Sequence, residues 1–329
     1  MDVPTRMQAA FVRTLGGPEL IEVGPLDVPR PGPTDVLVRL EASEVNHVDL
    51  LVRSGAYRTP TPFPFVIGRD LVGTVVATGP GVTAFGIGDR VWSNSMGHGG
   101  RQGTFAEYSV VAQDRLYPLP PGVDPMVAAA VLHTAATASI GLFRRARLEP
   151  GQTLFVGHAS GGVGTALVQL AAAAGARVVA TASPRDAAWC RDNGADVVLD
   201  HGAPDLVTRV GHAAPEGIDI WWDTSGLPDV ETVLPLVRVG GSVVVTAAMA
   251  ARPALPVGAL YTRDLTLHGF AMSNATVEDL AAAAQVINHF LATATLRGRV
   301  AAALPLAQAA RAHRMLQDGG VHGRLLLTP

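Results

Sequence analysis

The stretch "VGHASGGVGTALVQLA", residues 156–171, limits the possible folds of this chain more than any other. An apolar strand, "TLFVG", runs into a loop holding Gly157, Gly161, Gly162 and Gly164, and a helical pattern follows at once. Glycines let the backbone turn tightly and approach a ligand. The helix N-terminus adds free N–H groups and a positive dipole end, so the unit suits a pyrophosphate. Ser160, Gly161, Gly162, Val163 and Gly164 are the expected cofactor contacts. A glycine-rich loop alone is weak evidence, and its setting decides the matter.

That setting is regular. "RVVATA", "DVVLD", "GIDIWWDTSG", "GGSVVVTAA" and "DLTLHGF" read as further strands, with helical patterns such as "SPRDAAWCRDNGA" between them. Strands alternating with helices imply an α/β doubly wound parallel sheet with right-handed crossovers. The first ~125 residues differ: short apolar runs such as "DVLVRLEAS", "LVGTVVATG", "DRVWSNS" and "GTFAEYSVVA" lie between turn signals, as in a β-rich domain. Asp124 before Pro125 marks a helix start. Toward the C-terminus, one helix opens at Thr276 with Asp279 three residues on, and another covers Leu306–Gln317. "GRLLLT" reads as a last strand.

Charge and composition remove several function classes. The 25 basic and 28 acidic residues nearly balance, which gives no electrostatic footprint for nucleic acid. Apolar runs are broken before membrane-spanning length, and no signal-peptide core is visible, so a soluble cytoplasmic protein is expected. Cys190 is the single cysteine, which excludes an intramolecular disulfide and a four-thiolate zinc site.

The choice of dinucleotide rests on the second strand. NAD sites usually end it with an acid for the ribose 2′-hydroxyl. Here "VVATASPRD" has none before Asp186, which with Ser183 and Pro184 also reads as helix capping. The functional reading gives Ser183 and Arg185 to a 2′-phosphate, so NADPH is expected over NADH.

"GRDLVGTVVATG", "GIGDRVW", "ASGGVGTALVQLA", "VNHVDLLVRSGAY" and the closing "GRLLLTP" together resemble the medium-chain dehydrogenase/reductase superfamily. The resemblance is nearest to its zinc-independent quinone oxidoreductase (zeta-crystallin-like) branch. It implies a GroES-like catalytic domain over residues 1–125 and 273–329, and a Rossmann domain over 126–272. It also implies a homodimer.

Zinc members of that superfamily carry Cys where Asn46 stands, and Gly-His-Glu where Gly68, Arg69 and Asp70 stand. Neither soft ligand is present, so no metal is expected. Asp49 and Asp70 are expected to pair with Arg53 or Arg69, or to accept backbone N–H groups. Asn46 can donate to a substrate oxygen. The resemblance to medium-chain enoyl reductases gives Tyr57 the role of acid; a packed aromatic, or a hydrogen bond to the nicotinamide ribose or amide, is the alternative. Thr137, His201, Ser225, Ala247, Phe270 and Arg324 would line the cofactor. Trp221 and Trp222 read as core, and His158 as surface structure. Hydride transfer without a Lewis acid favours quinones and α,β-unsaturated carbonyls, whose charge spreads into a quinol or enolate. Alcohol or aldehyde dehydrogenation, and cofactor binding without turnover, are the alternatives.

Overall fold

The alternation that begins at Thr153 closes into a six-stranded sheet. In spatial order its strands are Val197–Asp200, Arg177–Ala182, Thr153–Gly157, Ile218–Asp223, Val237–Val245 and Thr266–Gly269. Every neighbouring pair is parallel, as expected. The winding reverses at Thr153–Gly157, and ligands of open α/β sheets sit at the carboxyl ends beside such a reversal. The central strands are near-continuous apolar runs because both faces are covered. Phe155 stacks on Trp221 with ring centroids 3.7 Å apart, and Trp222 is fully buried, so both tryptophans are core. This sheet and its helices form one unit, Thr134–Ala275. The computed structural model describes residues 3–225 and 229–329.

The second unit joins Met1–His133 to Thr276–Pro329 and is β-rich and GroES-like. Its larger sheet runs in the order Val300–Pro305, Arg324–Thr328, Asp35–Glu44, Leu71–Thr78, Arg90–Ser93, Tyr117–Pro118, with Tyr108–Ala112 also paired to Asp35–Glu44. A smaller sheet holds Glu22–Asp27, Arg6–Val12 and Phe65–Val66. The central strand Asp35–Glu44 alternates in sequence yet is largely buried, because three strands pair along it. It ends at Glu44 and so delivers Asn46 to the start of the helix His47–Ser54.

Several local expectations hold. Asp124 caps its helix by accepting from Met126 N at 2.7 Å. Thr276 caps the helix Val277–Ala292 by accepting from Asp279 N at 3.1 Å. Others shift. The strand expected from Gly103 begins only at Tyr108, because Gly103, Thr104 and Phe105 donate to Val66 and Ile67 carbonyls instead. The helix expected from Leu306 opens as a 3₁₀ turn, Leu306–Gln308, and becomes α-helical over Ala309–Asp318. Among the described residues no helix is long and apolar enough to cross a membrane.

Candidate active site and cofactor cradle

Asn46 starts the helix His47–Ser54 with an extended backbone, and its N–H donates to Asp49 Oδ2 at 2.8 Å. The helix stops at Gly55, whose φ of +80° suits glycine. Two residues on, Tyr57 N donates back to Leu51 O at 3.0 Å. The "SGAY" turn thus folds Tyr57 against its own helix, half-buried.

The Asn46 side chain is 2% exposed and held at both ends. Nδ2 donates to Asp70 Oδ2 at 2.7 Å, and more loosely to the Glu44 carbonyl at 3.4 Å. Oδ1 accepts from Arg324 Nη2 at 3.4 Å. Arg324 also forms a buried ion pair with Glu44. Asp70 Oδ1 accepts the Glu44 N–H at 2.7 Å. Arg69 is 4% exposed; its Nη1 donates to Met96 O at 3.1 Å, and its Nη2 has no partner among the described residues. Asp49 and Asp70 therefore do accept backbone N–H groups, as expected, and Arg69 supplies the compensating charge. Arg53 turns elsewhere, donating to Gln317 Oε1 at 2.8 Å.

Burial sets the charge states. Asp49 is pushed up to about 7 by desolvation, against the pull of the Asn46 N–H and the Arg69 charge. Asp70 is raised by burial and then by the Asp49 charge. His133 is pushed down to about 4 by burial and by Arg69, which keeps its ring neutral. Arg324 falls to about 10 through burial and remains a cation at neutral pH. Arg69 lies within electrostatic range of the Tyr57 hydroxyl. The cluster is a dry network of acids and guanidinium groups, with a half-exposed phenol beside it.

In the other unit, the sheet gathers most of the expected cofactor residues along one edge. Ser160–Gly164, Ser183 and Arg185, His201, Ser225, Ala247 and Phe270 each follow the carboxyl end of a different parallel strand. Thr137 lies apart on the helix Leu132–Ser139, and Arg324 belongs to the acid–guanidinium network. Phe270 packs edge-on to Trp222, centroids 5.8 Å apart.

The glycines divide by purpose. A Cβ on Gly157 would sit 2.5 Å from Asp223 Cγ, and one on Gly164 would sit 2.7 Å from Ala159 Cα, so both serve close packing. At Gly161 the nearest atom to such a Cβ is His158 O at 3.5 Å, so the space above the helix N-terminus is open. Gly161 provides no side-chain cap to the helix Gly162–Ala173, whose first turn has no acid. Its leading N–H groups and positive dipole end are therefore suited to a phosphate. Ser183 and Pro184 take the N-cap and first positions of a 3₁₀ turn, Pro184–Asp186, as expected, but the Ser183 hydroxyl donates to Asp186 Oδ2 at 2.9 Å rather than accepting from the backbone, and Arg185 Nε lies 3.6 Å from the same oxygen.

Comparison with known proteins agrees with both halves of this picture. The family described as "Alcohol dehydrogenase GroES-like domain" matches residues 32–121, and "Zinc-binding dehydrogenase" matches 162–289. The quinone oxidoreductase of Rattus norvegicus is 30% identical over 325 residues, covering 98% of this chain and 97% of its own. A crystal structure described as an NAD-dependent alcohol dehydrogenase superposes with a TM-score of 0.89 at 33% identity, covering 98% and 100%. A mycobacterial protein solved with NADPH gives 0.85 at 31%, covering 98% and 100%.

The zinc in the second family description has no fitting donor set here. Asn46 presents amide hydrogens to Asp70, and a buried guanidinium from Arg69 occupies the neighbourhood. A cation beside that guanidinium would meet repulsion at low dielectric. Among the described residues no three His, Cys, Asp or Glu side chains cluster as ligands.

Proposed function

The chain belongs to the medium-chain dehydrogenase/reductase superfamily, in its quinone oxidoreductase branch, and from that premise we propose a metal-free, NADPH-dependent reductase of quinones or activated C=C bonds. The observation that carries this reading is the buried Asn46–Asp70–Arg69–Asp49 network, in which an amide and a guanidinium stand among the acids and neither is a metal ligand. The nicotinamide cofactor, when bound, supplies the hydride.

The protein's own residues then serve charge and proton. Negative charge develops on the substrate oxygen as hydride reaches the conjugated carbon. Arg69 provides a fixed positive potential in a dry setting, where such preorganised charge acts most strongly. Asn46 can offer its second amide hydrogen by exchanging the 3.4 Å contact to the Glu44 carbonyl for the substrate oxygen. Asp70 and Arg324 hold the amide in one orientation while it does so. Tyr57 delivers a proton to the enolate carbon or quinol oxygen. The glycine-lined helix N-terminus holds the pyrophosphate.

NADPH binding is supported by the mycobacterial relative solved with that nucleotide. The likeness to an NAD-dependent alcohol dehydrogenase favours a second reading, alcohol or aldehyde oxidation with NAD. Steady-state oxidation of NADPH against a panel of quinones and enones, beside NAD reduction with alcohols, separates the two. Turnover with quinones or enones supports the proposal. Turnover with alcohols alone contradicts it.

A further inference from the structure

His158 is the unexpected member of the cofactor edge. It holds a left-handed backbone, φ +53°, which a non-glycine residue rarely adopts without compensation. Its N–H donates to Thr181 Oγ1 at 3.1 Å, on the adjacent strand. Its Nδ1 lies 3.6 Å from Asp223 Oδ1, at the end of the strand on the other side. Its ring stacks on His201, centroids 5.0 Å apart and planes within 20° of parallel. The His158 side chain is 49% exposed. Two imidazoles thus lie side by side over the carboxyl ends of the parallel strands, next to the open space at Gly161.

The Ser183–Arg185 turn is poorly placed to recognise a phosphate. Its hydroxyl hydrogen and its guanidinium both face Asp186, a carboxylate that is itself mostly buried. Asp223 stands equally close to His158, so what sets the His158 site apart is its second imidazole, stacked beside the open space at Gly161. Building on the dinucleotide reading above, we infer that His158, oriented by Asp223 and stacked on His201, is the residue that binds the 2′-phosphate and selects NADPH over NADH. Asp223 and His201 are the ionisable groups seen to face His158; Thr181 and Thr224, on the flanking elements, are uncharged. The adjacent Asp223 carboxylate raises the His158 pKa above its usual value, although burial opposes the shift. The imidazolium is lost as pH rises through that raised value.

The test is equilibrium binding of NADPH and NADH, by nucleotide fluorescence, across about pH 6 to about pH 8.5. The variants are His158→Gly and His201→Ala. Glycine accepts the left-handed backbone, so His158→Gly removes the ring while leaving the loop relaxed. Wild type should prefer NADPH, and the preference should shrink about tenfold toward high pH, the scale of one charge-assisted hydrogen bond. In His158→Gly the preference and its pH dependence should both disappear, with NADH affinity within about threefold of wild type. His201→Ala should lower the preference less. The phosphate's own second ionisation lies near about pH 6, so the shrinkage is read from about pH 7 upward, where the phosphate charge is nearly constant. NADPH preference surviving unchanged in His158→Gly, or tighter NADPH binding there, would overturn the inference and leave the dinucleotide reading standing. Failure of wild type to bind either nucleotide would overturn both.

Discussion

Asn46 Nδ2 donates to Asp70 Oδ2 at 2.7 Å, and both side chains are almost fully buried. Removing one side strands the other. Asp70→Ala should cost about 1–3 kcal/mol of stability, the penalty for an unsatisfied buried donor. Urea unfolding measures it. A loss below about 0.5 kcal/mol would mean that the pair is not the anchor described.

Asp49 gives a pH prediction with a definite sign. Its folded pKa, about 7, lies above its unfolded value, so the folded state binds more protons between them. Its contribution to stability should therefore fall as pH rises from about 4 to about 7 and then level off. His133 and His313, pushed down to about 4 and about 3, act in the opposite sense, gaining stability as pH rises toward 6.5. The clean readout is the difference between wild type and Asp49→Asn, which keeps an oxygen for the Asn46 N–H. Wild type should lose ground to the variant across that window. A flat difference would show that Asp49 titrates normally.

The parallel sheet ends in the strand Thr266–Gly269, an unpaired edge within its unit. Leu267 is 42% exposed there, with Val257 at 60% and Tyr261 at 70% in the preceding helix. Apolar surface on a sheet edge is a ready surface for two-fold pairing. Light scattering should give a homodimer, and Leu267→Asp should shift it toward monomer. A monomeric wild type at micromolar concentration would remove this expectation.

Much of this arrangement is legible in the chain because it is local. Strand, glycine loop and helix at 153–173 follow one another within a single unit, so spacing alone reveals them. The strand Val300–Pro305 was hidden because "VAAALP" is alanine-rich, and its pairing with Arg324–Thr328 decides its conformation. The strand Arg6–Val12 likewise owes its place to pairing with Glu22–Asp27 and Phe65–Val66. The site is less legible still. Asn46 and Asp70 are 24 positions apart, and Arg324 meets Asn46 across 278. No periodicity encodes such contacts. His158 does lie half-exposed at the surface, and neither its stacking on His201 nor its approach to Asp223 leaves a local signature.

Tyr57 tests the proton step. Its backbone is fixed to Leu51 and its ring packs beside the helix His47–Ser54, so Tyr57→Phe should fold normally. General acid catalysis contributes roughly 10²–10⁴-fold, and that loss in kcat is expected for an enone, with NADPH affinity unchanged. A quinone should suffer less, because its reduced oxygen can take a proton from water. An enone rate within about threefold of wild type, with a deuteride isotope effect showing that chemistry limits, would exclude Tyr57 as the acid.

The proposed hydride transfer is supported by the buried Arg69 guanidinium rather than by a metal. The most direct measurement is the single-turnover rate of NADPH oxidation by a quinone, taken before and after exhaustive chelation, with metal content determined on the same sample. Metal should be substoichiometric, the rate should be unchanged after chelation, and Arg69→Gln should be much slower with NADPH still bound. Stoichiometric zinc, activity abolished by chelation and restored by zinc, would contradict metal-free transfer.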